Sequence, residues 1–388
     1  MTEAELIRGD RDGALDGLRA IAALLIVFYH CAVNVWLPPF FIPGFVGVHL
    51  FFVLSGYLIA RPFLVRMLAG QPLPSSRKYA VRRFVRIYPA YFIALVVFVA
   101  MRFVGQLHRP TTGDILRHAL LIFNWGKPAE FTTINVVMWT LAIEAQFYVL
   151  LPLAAALTNR LPLGRGRPSA LLMVLAFTLI GLLSRGLEYS MTAVGQPRFR
   201  LPFSFLDLFA MGIFAAYVEL TQATFLRRRL VLRTTLLLSA VALLLASNRW
   251  LVLAGGGDWL AAPTLALACL YPIGICVAFG LIVLCVRTRA NYRVALLTAP
   301  PLIFIGRISY SMYLYHVGVG YLILTRLPPD SSIWLGSHPK IYALVQLGPV
   351  LVVSYLAYRA VERPSLRWLE RFSLNAREPK PGSRPTQS

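Results

Sequence analysis

Charged residues are scarce in this sequence, and acidic residues are the scarcest. Only 14% of the 388 residues are charged, with 16 Asp and Glu against 38 Lys and Arg, whereas 58% are hydrophobic. A soluble globular domain carries about 25% charged residues. The composition therefore excludes an ordinary soluble domain. It predicts an all-α fold, a polytopic bundle of transmembrane helices.

Cysteine is also rare, and no spacing of metal-binding residues is present. The four cysteines, Cys31, Cys269, Cys276 and Cys285, all lie in apolar stretches. In such a setting Cys behaves as a small hydrophobic residue. We expect these residues to fill the core, and we expect no metal site.

No internal repeat is visible in the sequence, and we expect neither a cleavable leader nor a second soluble domain. Many secondary transporters are built from repeats, so the missing repeat weakens that class. The first apolar run has no clean small-residue cleavage site, and we expect it to be retained as a span. Residues 1–368 are predicted to form the transmembrane domain. Residues 369–388, rich in Pro, Ser and charge, are typical of a disordered cytoplasmic tail.

Apolar runs of about 20 residues, long enough to cross a bilayer, occur ten times. The predicted spans are 18–37, 45–65, 87–107, 135–158, 169–186, 201–220, 232–253, 264–286, 300–325 and 341–360. The run 114–124 is too short to span. We expect it to lie at the membrane interface or to re-enter.

The net charge of +22 is carried by short loops between the apolar runs. If the N-terminus is cytoplasmic, 26 of the 38 Lys and Arg lie on the cytoplasmic side, 8 on the other side and 4 within or at the ends of spans. Positively charged short loops stay in the cytoplasm. The distribution therefore predicts cytoplasmic N- and C-termini, and it explains the basic charge without a nucleic-acid partner.

Two ionisable residues lie within the first span, where an exposed charge costs several kcal/mol. Arg19 and His30 are separated by eleven positions, which returns to within about 20° of the same helix face, roughly 16 Å further along the axis. Arg19 is predicted at the cytoplasmic mouth and His30 about seven residues from the outer end of the span. Both residues are expected to line one stripe.

Two further ionisable groups are predicted at a similar depth. Glu144 follows the opening of the fourth span, "MWTLAIEAQFY", and His316 ends "GRISYSMYLYH" in the ninth. We predict that His30, Glu144 and His316 converge on one layer of the membrane. The alternatives are that Arg19 snorkels to water, that a histidine is a satisfied packing residue, and that Glu144 forms a structural ion pair with Arg185.

The densest basic patch lies in "SSRKYAVRRFVRIYPAYF", between the second and third spans. Arg83 and Arg86 share a helix face at i, i+3, and this spacing suits two phosphates of one ligand. Anionic lipid headgroups are the alternative partner. Ser55, in the second span, has no base at a readable spacing, so we interpret it as a residue that lets helices pack closely.

These elements together resemble membrane acyltransferase family 3, polytopic enzymes that O-acylate bacterial surface polysaccharides, peptidoglycan, lipid-linked sugars and some secondary metabolites. The resemblance covers about residues 12 to 365. Arg19 with His30 is similar to the family's R-x10-H element, and Arg83 with Arg86 to its R-x-x-R element. Further matches are "FFVLSGYLI" in the second span, "WTLAIEAQFY" at Glu144, Ser309-Tyr310 to His316, and Glu362-Arg363-Pro364.

The resemblance implies a bacterial inner-membrane O-acyltransferase, transferring groups other than aminoacyl groups. The implied donor is cytoplasmic acyl-CoA, commonly acetyl-CoA, and the implied acceptor is a hydroxyl of a carbohydrate or glycosylated molecule. A cell-surface glycan, a lipid-linked sugar and an antibiotic such as a macrolide all stay open as acceptors. Some relatives carry an extra periplasmic hydrolase-like domain, which we do not expect for this chain.

On this hypothesis the donor's phosphates bind Arg19, Arg83 and Arg86, because Arg suits bidentate phosphate contacts. His30 acts as general base on the acceptor hydroxyl, and Glu144 orients its imidazole. Contacts with the acceptor or the oxyanion are assigned to three residues: Trp139, Tyr310 and His316. A covalent acyl-His or acyl-Ser route stays open.

A proton-coupled secondary transporter or exporter is the main competing function. In that class Glu144 and His30 would form a proton relay. A transporter moves substrate across a sealed vesicle in response to a proton gradient, whereas an acyltransferase yields a modified acceptor and free CoA. A structural scaffold is the third class, and it has no need of polar groups at matched depth.

Overall fold

The computed structural model describes nine stretches of the chain. They are residues 13–31, 35–37, 40–104, 109–125, 133–162, 166–191, 201–254, 264–288 and 295–375. Most of the predicted tail, 376–388, lies outside the described residues, as do Lys127, Arg198 and Arg200, which were predicted for the outer loops.

The described residues form thirteen α-helices, ten of them with 18 residues or more. In chain order they are α1 (Gly13–His30), α2 (Val46–Leu68), α3 (Ser76–Val104), α4 (Thr112–Ala119), α5 (Trp139–Arg160), α6 (Arg167–Met191), α7 (Leu206–Arg228), α8 (Leu230–Leu253), α9 (Leu265–Arg287), α10 (Pro300–Arg326), α11 (Pro329–Ser337), α12 (Pro339–Ala357) and α13 (Arg363–Asn375). A five-residue π-turn, Tyr358–Glu362, joins α12 to α13.

The ten long helices correspond to the ten predicted spans. Among the described helices, nine are long and apolar enough to cross a membrane. The tenth, α10, has 27 residues, and its apolar sequence is interrupted by tyrosines, serines and His316. The chain is therefore an all-α polytopic membrane protein, as its composition predicted.

The first span differs from its prediction. Helix α1 ends at His30, whereas the apolar run extends to 37. A short antiparallel hairpin follows, with β1 (Val35–Leu37) paired to β2 (Phe40–Ile42). Two consecutive prolines at 38 and 39 exclude a helix through the end of the apolar run, and the helix ends eight residues before them. His30 therefore lies at the end of its helix rather than seven residues below it.

Consecutive long helices alternate in direction. Odd-numbered spans run parallel to one another: Asp16 of α1 lies beside Gly306 of α10, and further along both helices His30 meets His316. We call the end of the bundle at which α1 begins the inner end, and the opposite end the outer end. The names follow the predicted orientation.

Glycines allow α1 and α10 to pack in close contact. A Cβ on Gly17 would lie 2.1 Å from the carbonyl oxygen of Leu297, and one on Gly306 would lie 2.0 Å from the carbonyl oxygen of Asp16. Side chains larger than hydrogen would push the helices apart. Small residues at such crossings are typical of membrane helix pairs. This contact sets the alignment that brings His30 to His316.

Two buried ionic groups tie α2, α6, α7 and α9 together. Arg185 of α6 pairs with Asp207 of α7, and both side chains are fully buried. Nearer the inner end, Glu219 of α7 accepts a hydrogen bond from the Tyr57 hydroxyl at 2.5 Å. The same carboxylate pairs with Arg61 at 3.3 Å and with Arg287 at 3.3 Å.

The short run at 114–124 does not cross the membrane, as predicted. Helix α4 has a capping box formed by Thr111 and Asp114, and the chain then turns at Leu121, whose φ is 57°. Gln146 of α5 donates to the carbonyl oxygen of Leu121 at 2.7 Å. Since Gln146 lies two turns inside α5, about 10 Å from its start, this segment re-enters the bundle.

At the C-terminal end, the boundary predicted at 369 falls inside a helix. Helix α13 continues to Asn375, so residues 369–375 are helical rather than part of a disordered tail.

Candidate active site

Two histidines from α1 and α10 form a direct contact near the outer end. The Nδ1 atom of His30 lies 3.1 Å from the Nε2 atom of His316, and the two ring centroids are 4.9 Å apart. His316 is fully buried, whereas His30 is exposed among the described residues. The pair therefore has one buried member and one accessible member.

The hydrogen bonds of the pair determine which nitrogens carry protons. The Nδ1 atom of His316 lies 2.8 Å from the carbonyl oxygen of Tyr313, which can only accept, so this nitrogen carries hydrogen. The Nε2 atom of neutral His316 is then an acceptor, and His30 donates to it from Nδ1. His30 Nδ1 also lies 2.9 Å from the carbonyl oxygen of Ile26. In this network the Nε2 atom of neutral His30 keeps a lone pair.

The carboxylate of Glu144 has different partners from those predicted. Its Oε1 atom accepts from the Ser55 hydroxyl at 2.5 Å and from the Tyr148 hydroxyl at 2.9 Å. The expectation that Glu144 orients His30 is therefore corrected, since Ile26 and His316 occupy the Nδ1 atom of that imidazole.

The alternative ion pair between Glu144 and Arg185 is also wrong. Arg185 pairs with Asp207 and donates to the carbonyl oxygens of Ser204 at 2.9 Å and Cys269 at 3.0 Å. These contacts anchor α6 to α7 and α9, away from Glu144.

The predicted single layer of ionisable groups is two layers in the structure. Phe51 and Thr140 lie one helical turn outward from Ser55 and Glu144. Tyr313 contacts both of these outer residues: its ring centre is 6.1 Å from the ring centre of Phe51, and its hydroxyl oxygen is 2.5 Å from the hydroxyl oxygen of Thr140. His316 follows Tyr313 by three further residues. At 1.5 Å per residue, the Ser55–Glu144 layer lies about 10 Å inward of the histidine pair.

Arg83 lies on the inner side of Glu144. Its guanidinium carbon is 5.7 Å from the ring centres of both Tyr79 and Tyr148. Its Nε atom is buried and has no hydrogen-bond partner among the residues the structure describes. A buried donor without an acceptor is costly, so an anionic ligand is well suited to this position.

Arg86 and Arg19 differ in their surroundings. Arg86 is exposed. Arg19 pairs with Asp16 at 2.7 Å, and both side chains are 16% exposed. The charge of Arg19 is therefore balanced within its own helix, whereas Arg83 is half-buried against two tyrosines and Arg86 is exposed one turn further along α3.

The remaining predicted contacts lie on the same helices. Trp139 packs between the rings of Phe52, at 6.4 Å, and Phe205, at 5.4 Å. The Tyr310 hydroxyl donates to the carbonyl oxygen of Ile87 at 3.0 Å. Trp139 is thus a packing residue at the outer start of α5, and Tyr310 fastens α10 to α3.

Sequence reasoning missed Tyr148 and Tyr313, and it did not predict the contact between Ser55 and Glu144. Tyr148 follows Glu144 by one helical turn, a spacing that could have indicated their contact. The Ser55–Glu144 contact had no such signal, because the two residues are 89 positions apart in the chain. No group of three or more His, Cys, Asp or Glu in the described parts of the chain could hold a metal ion.

The fold and this site define a class: a polytopic membrane protein in which an accessible histidine contacts a buried one near one end of the bundle. The family described as "Acyltransferase domain" matches residues 12–359, nearly the whole chain. The chain belongs to this acyltransferase family, and the resemblance seen in the sequence is confirmed.

Curated relatives narrow the comparison. The peptidoglycan O-acetyltransferase OatA of Listeria monocytogenes is 26% identical over 382 residues, which cover 90% of this chain and 55% of the relative. The O-acetyltransferase OatA of Staphylococcus aureus is 25% identical over 373 residues, covering 90% of this chain and 56% of the relative. The chain thus spans about half the length of these relatives. No solved structure matches it.

Proposed function

We propose that this protein is an O-acyltransferase of the bacterial inner membrane that moves an acyl group from cytoplasmic acyl-CoA to a carbohydrate hydroxyl. Acetyl-CoA is the proposed donor, and peptidoglycan or another cell-envelope glycan is the proposed acceptor, because the relatives are named O-acetyltransferases and one is named for peptidoglycan. The N- and C-termini are cytoplasmic in this proposal, following the distribution of basic residues.

The observation that carries the proposal is the hydrogen bond between His30 and His316. Together with the Ile26 carbonyl oxygen beside Nδ1, it supports a proton on Nδ1 of His30 and a lone pair on Nε2, the form that a general base requires. As the acceptor hydroxyl attacks the acyl carbon, Nε2 takes its proton. His316 positions the ring and can stabilise the imidazolium, the role that a carboxylate has in hydrolase triads.

The donor is bound at the inner side of the same polar region. Arg83 and Arg86 contact its phosphates, and the buried Nε atom of Arg83 gains an acceptor. Arg19 is already paired with Asp16, so we assign the main phosphate contacts to the other two arginines. Tyr148 lies about 16 Å inward of the histidine pair by helical rise, a distance comparable to an extended pantetheine arm.

The test uses the full chain in lipid nanodiscs with labelled acetyl-CoA and peptidoglycan fragments. We expect labelled acceptor and free CoA in equal amounts. His30→Ala is expected to lower turnover by about 10²- to 10⁴-fold while the protein stays folded. His338→Ala is the matched control, because His338 is an exposed histidine at the start of α12, and we expect its turnover to match that of the unmodified protein.

A second measurement distinguishes the acyltransferase from the competing transporter function. In sealed vesicles, acceptor acylation by this protein is expected to proceed without a proton gradient. Gradient-dependent movement of substrate without free CoA, or full activity of His30→Ala, would overturn the proposed function.

A further inference from the structure

The Ser55–Glu144 contact has no role in the general-base step described above. The hydroxyl donates to the carboxylate at 2.5 Å, and Ser55 keeps part of its surface accessible. A hydroxyl that donates to a carboxylate is the geometry of a nucleophile beside its base. The carboxylate lies on a different helix from the serine, so no short-range sequence pattern could predict their contact.

The Ser55–Glu144 contact lies between the proposed donor site at the arginines and the proposed acceptor site at the histidine pair. Counting helical rise, the Ser55–Glu144 layer is about 6 Å outward of Tyr148, whose ring contacts Arg83, and about 10 Å inward of the histidine pair. A thioester that advances from the arginines therefore meets Ser55 before it reaches His30. The acceptor, coming from the outer end, meets His30 first.

We propose that Ser55 is a transient acyl carrier, activated by Glu144, that receives the acyl group from the donor and passes it to the acceptor bound at His30. This inference rests on the proposed function and adds a covalent intermediate to it. It assigns Glu144 as the base of the first step and His30 as the base of the second.

Both steps balance in atoms and protons. In the first, the Ser55 oxygen bonds to the acyl carbon, the C–S bond breaks, the hydroxyl proton moves to Glu144, and the thiolate leaves and takes a proton from cytoplasmic water. In the second, the acceptor oxygen bonds to the acyl carbon and the bond to Ser55 breaks. Glu144 returns its proton to Ser55, while the acceptor's proton passes through a bridging water to His30, because the two layers lie about 10 Å apart, and then to bulk water.

A second serine–glutamate pair in the same protein provides a matched control. The Ser311 hydroxyl donates to the carboxylate of Glu362, so the chemistry of the contact is the same. Ser311 is fully buried, however, whereas Ser55 is not. The buried Ser311–Glu362 pair therefore tests whether every serine that donates to a glutamate becomes labelled, or whether only the accessible Ser55 does.

The experiment mixes the full chain in nanodiscs with labelled acetyl-CoA and no acceptor, then denatures it and measures protein-bound label and free CoA. We expect up to one label per chain, located on the Ser55 peptide by mass spectrometry, and a matching burst of CoA. His30→Ala is expected to keep the label and the burst but lose transfer to the glycan. Ser311→Ala is expected to keep all three.

Two Ser55 variants make the assignment specific. Ser55→Ala is expected to lose the label and to lower transfer by about 100-fold or more, with only the small fall in melting temperature that the loss of one hydrogen bond causes. Ser55→Cys is expected to carry the label as a thioester that neutral hydroxylamine cleaves, unlike the ester of the unmodified protein.

The outcomes distinguish a failure of the acyl-carrier proposal from a failure of the proposed acyltransferase function. If the unmodified protein acetylates the glycan while no label is found and Ser55→Ala stays active, the carrier is refuted and the acyltransferase proposal stands. If the unmodified protein neither acetylates glycan nor releases CoA, both fail.

Discussion

The two halves of the bundle treat buried polar groups in different ways. Around α2, α6, α7 and α9, acids are matched with arginines: Asp207 with Arg185, and Glu219 with Arg61 and Arg287. Around α1, α5 and α10, the described residues place hydroxyls on Glu144 and pair one histidine with another. The first arrangement fixes charges in place. The second arrangement consists of hydroxyl, carboxylate and imidazole groups that can exchange protons. We therefore assign the ion-paired half to the scaffold and the other half to the proposed chemistry.

The largest effect on stability is expected at the ion-paired half. Arg185→Gln leaves the Asp207 carboxylate fully buried without its cation. Breaking a buried pair in this way costs about 3–5 kcal/mol. We expect a large drop in melting temperature in detergent, measured by the loss of the monodisperse peak on heating.

The hydroxyl-held half provides the contrast to that variant. Glu144→Gln keeps an amide oxygen that accepts from Ser55 and Tyr148, so we expect a stability change within about 1 kcal/mol together with loss of transfer. A melting temperature for Glu144→Gln as low as that of Arg185→Gln would abolish the distinction between the two halves.

The second effect concerns turnover rather than stability. His316→Phe keeps a ring but removes one of the two acceptors of His30 Nδ1 and leaves only the Ile26 carbonyl oxygen. We expect kcat to fall by about 10²-fold with KM for the acceptor unchanged. His316→Gln, which has an amide oxygen that can accept, is expected to recover part of kcat. If both variants lower activity equally and both lose stability, His316 is a packing residue only.

The sequence was sufficient for the scaffold because span length and loop charge are local properties. Ten apolar runs predicted ten long helices, and α4 was too short to span. The depths of single groups were less predictable, since the end of the apolar run does not mark the end of α1. A shift of seven residues moved His30 to the outer end and separated it from Glu144.

Partners of buried groups could be predicted even less well. His30 and His316 are 286 residues apart in the chain, and no short-range pattern records their contact. The sequence identified both as functional candidates because ionisable residues in apolar helices are costly. It could not distinguish which residue orients the base and which belongs to an earlier step.

A smaller effect is expected at the donor site. Arg83→Ala removes one charged contact with the donor, and we expect KM for acetyl-CoA to rise by about tenfold, as for loss of one hydrogen bond to a charged group. Acceptor KM is expected to stay the same. Arg66→Ala is the control, since Arg66 lies in the same basic region but donates to the carbonyl oxygen of Pro72. Equal donor KM values for both variants would contradict the phosphate role.

The smallest effects compare one tyrosine from each half. The Tyr57 hydroxyl donates to Glu219 at 2.5 Å and accepts from Arg287 at 2.8 Å, whereas the Tyr148 hydroxyl makes one such contact, to Glu144 at 2.9 Å. At about 1 kcal/mol for each hydrogen bond, we expect Tyr57→Phe to lose about 2 kcal/mol of stability and Tyr148→Phe about 1 kcal/mol.

Activity is expected to follow the opposite order in these two variants. Tyr148→Phe changes the surroundings of the carboxylate that the proposed reaction uses, so its kcat should shift, and Tyr57→Phe should leave kcat unchanged because Glu219 keeps both arginines. Thermal unfolding and acetyl transfer measured on the same preparations check both orders. A kcat loss in Tyr57→Phe that exceeds the loss in Tyr148→Phe would mean that the ion-paired half takes part in catalysis.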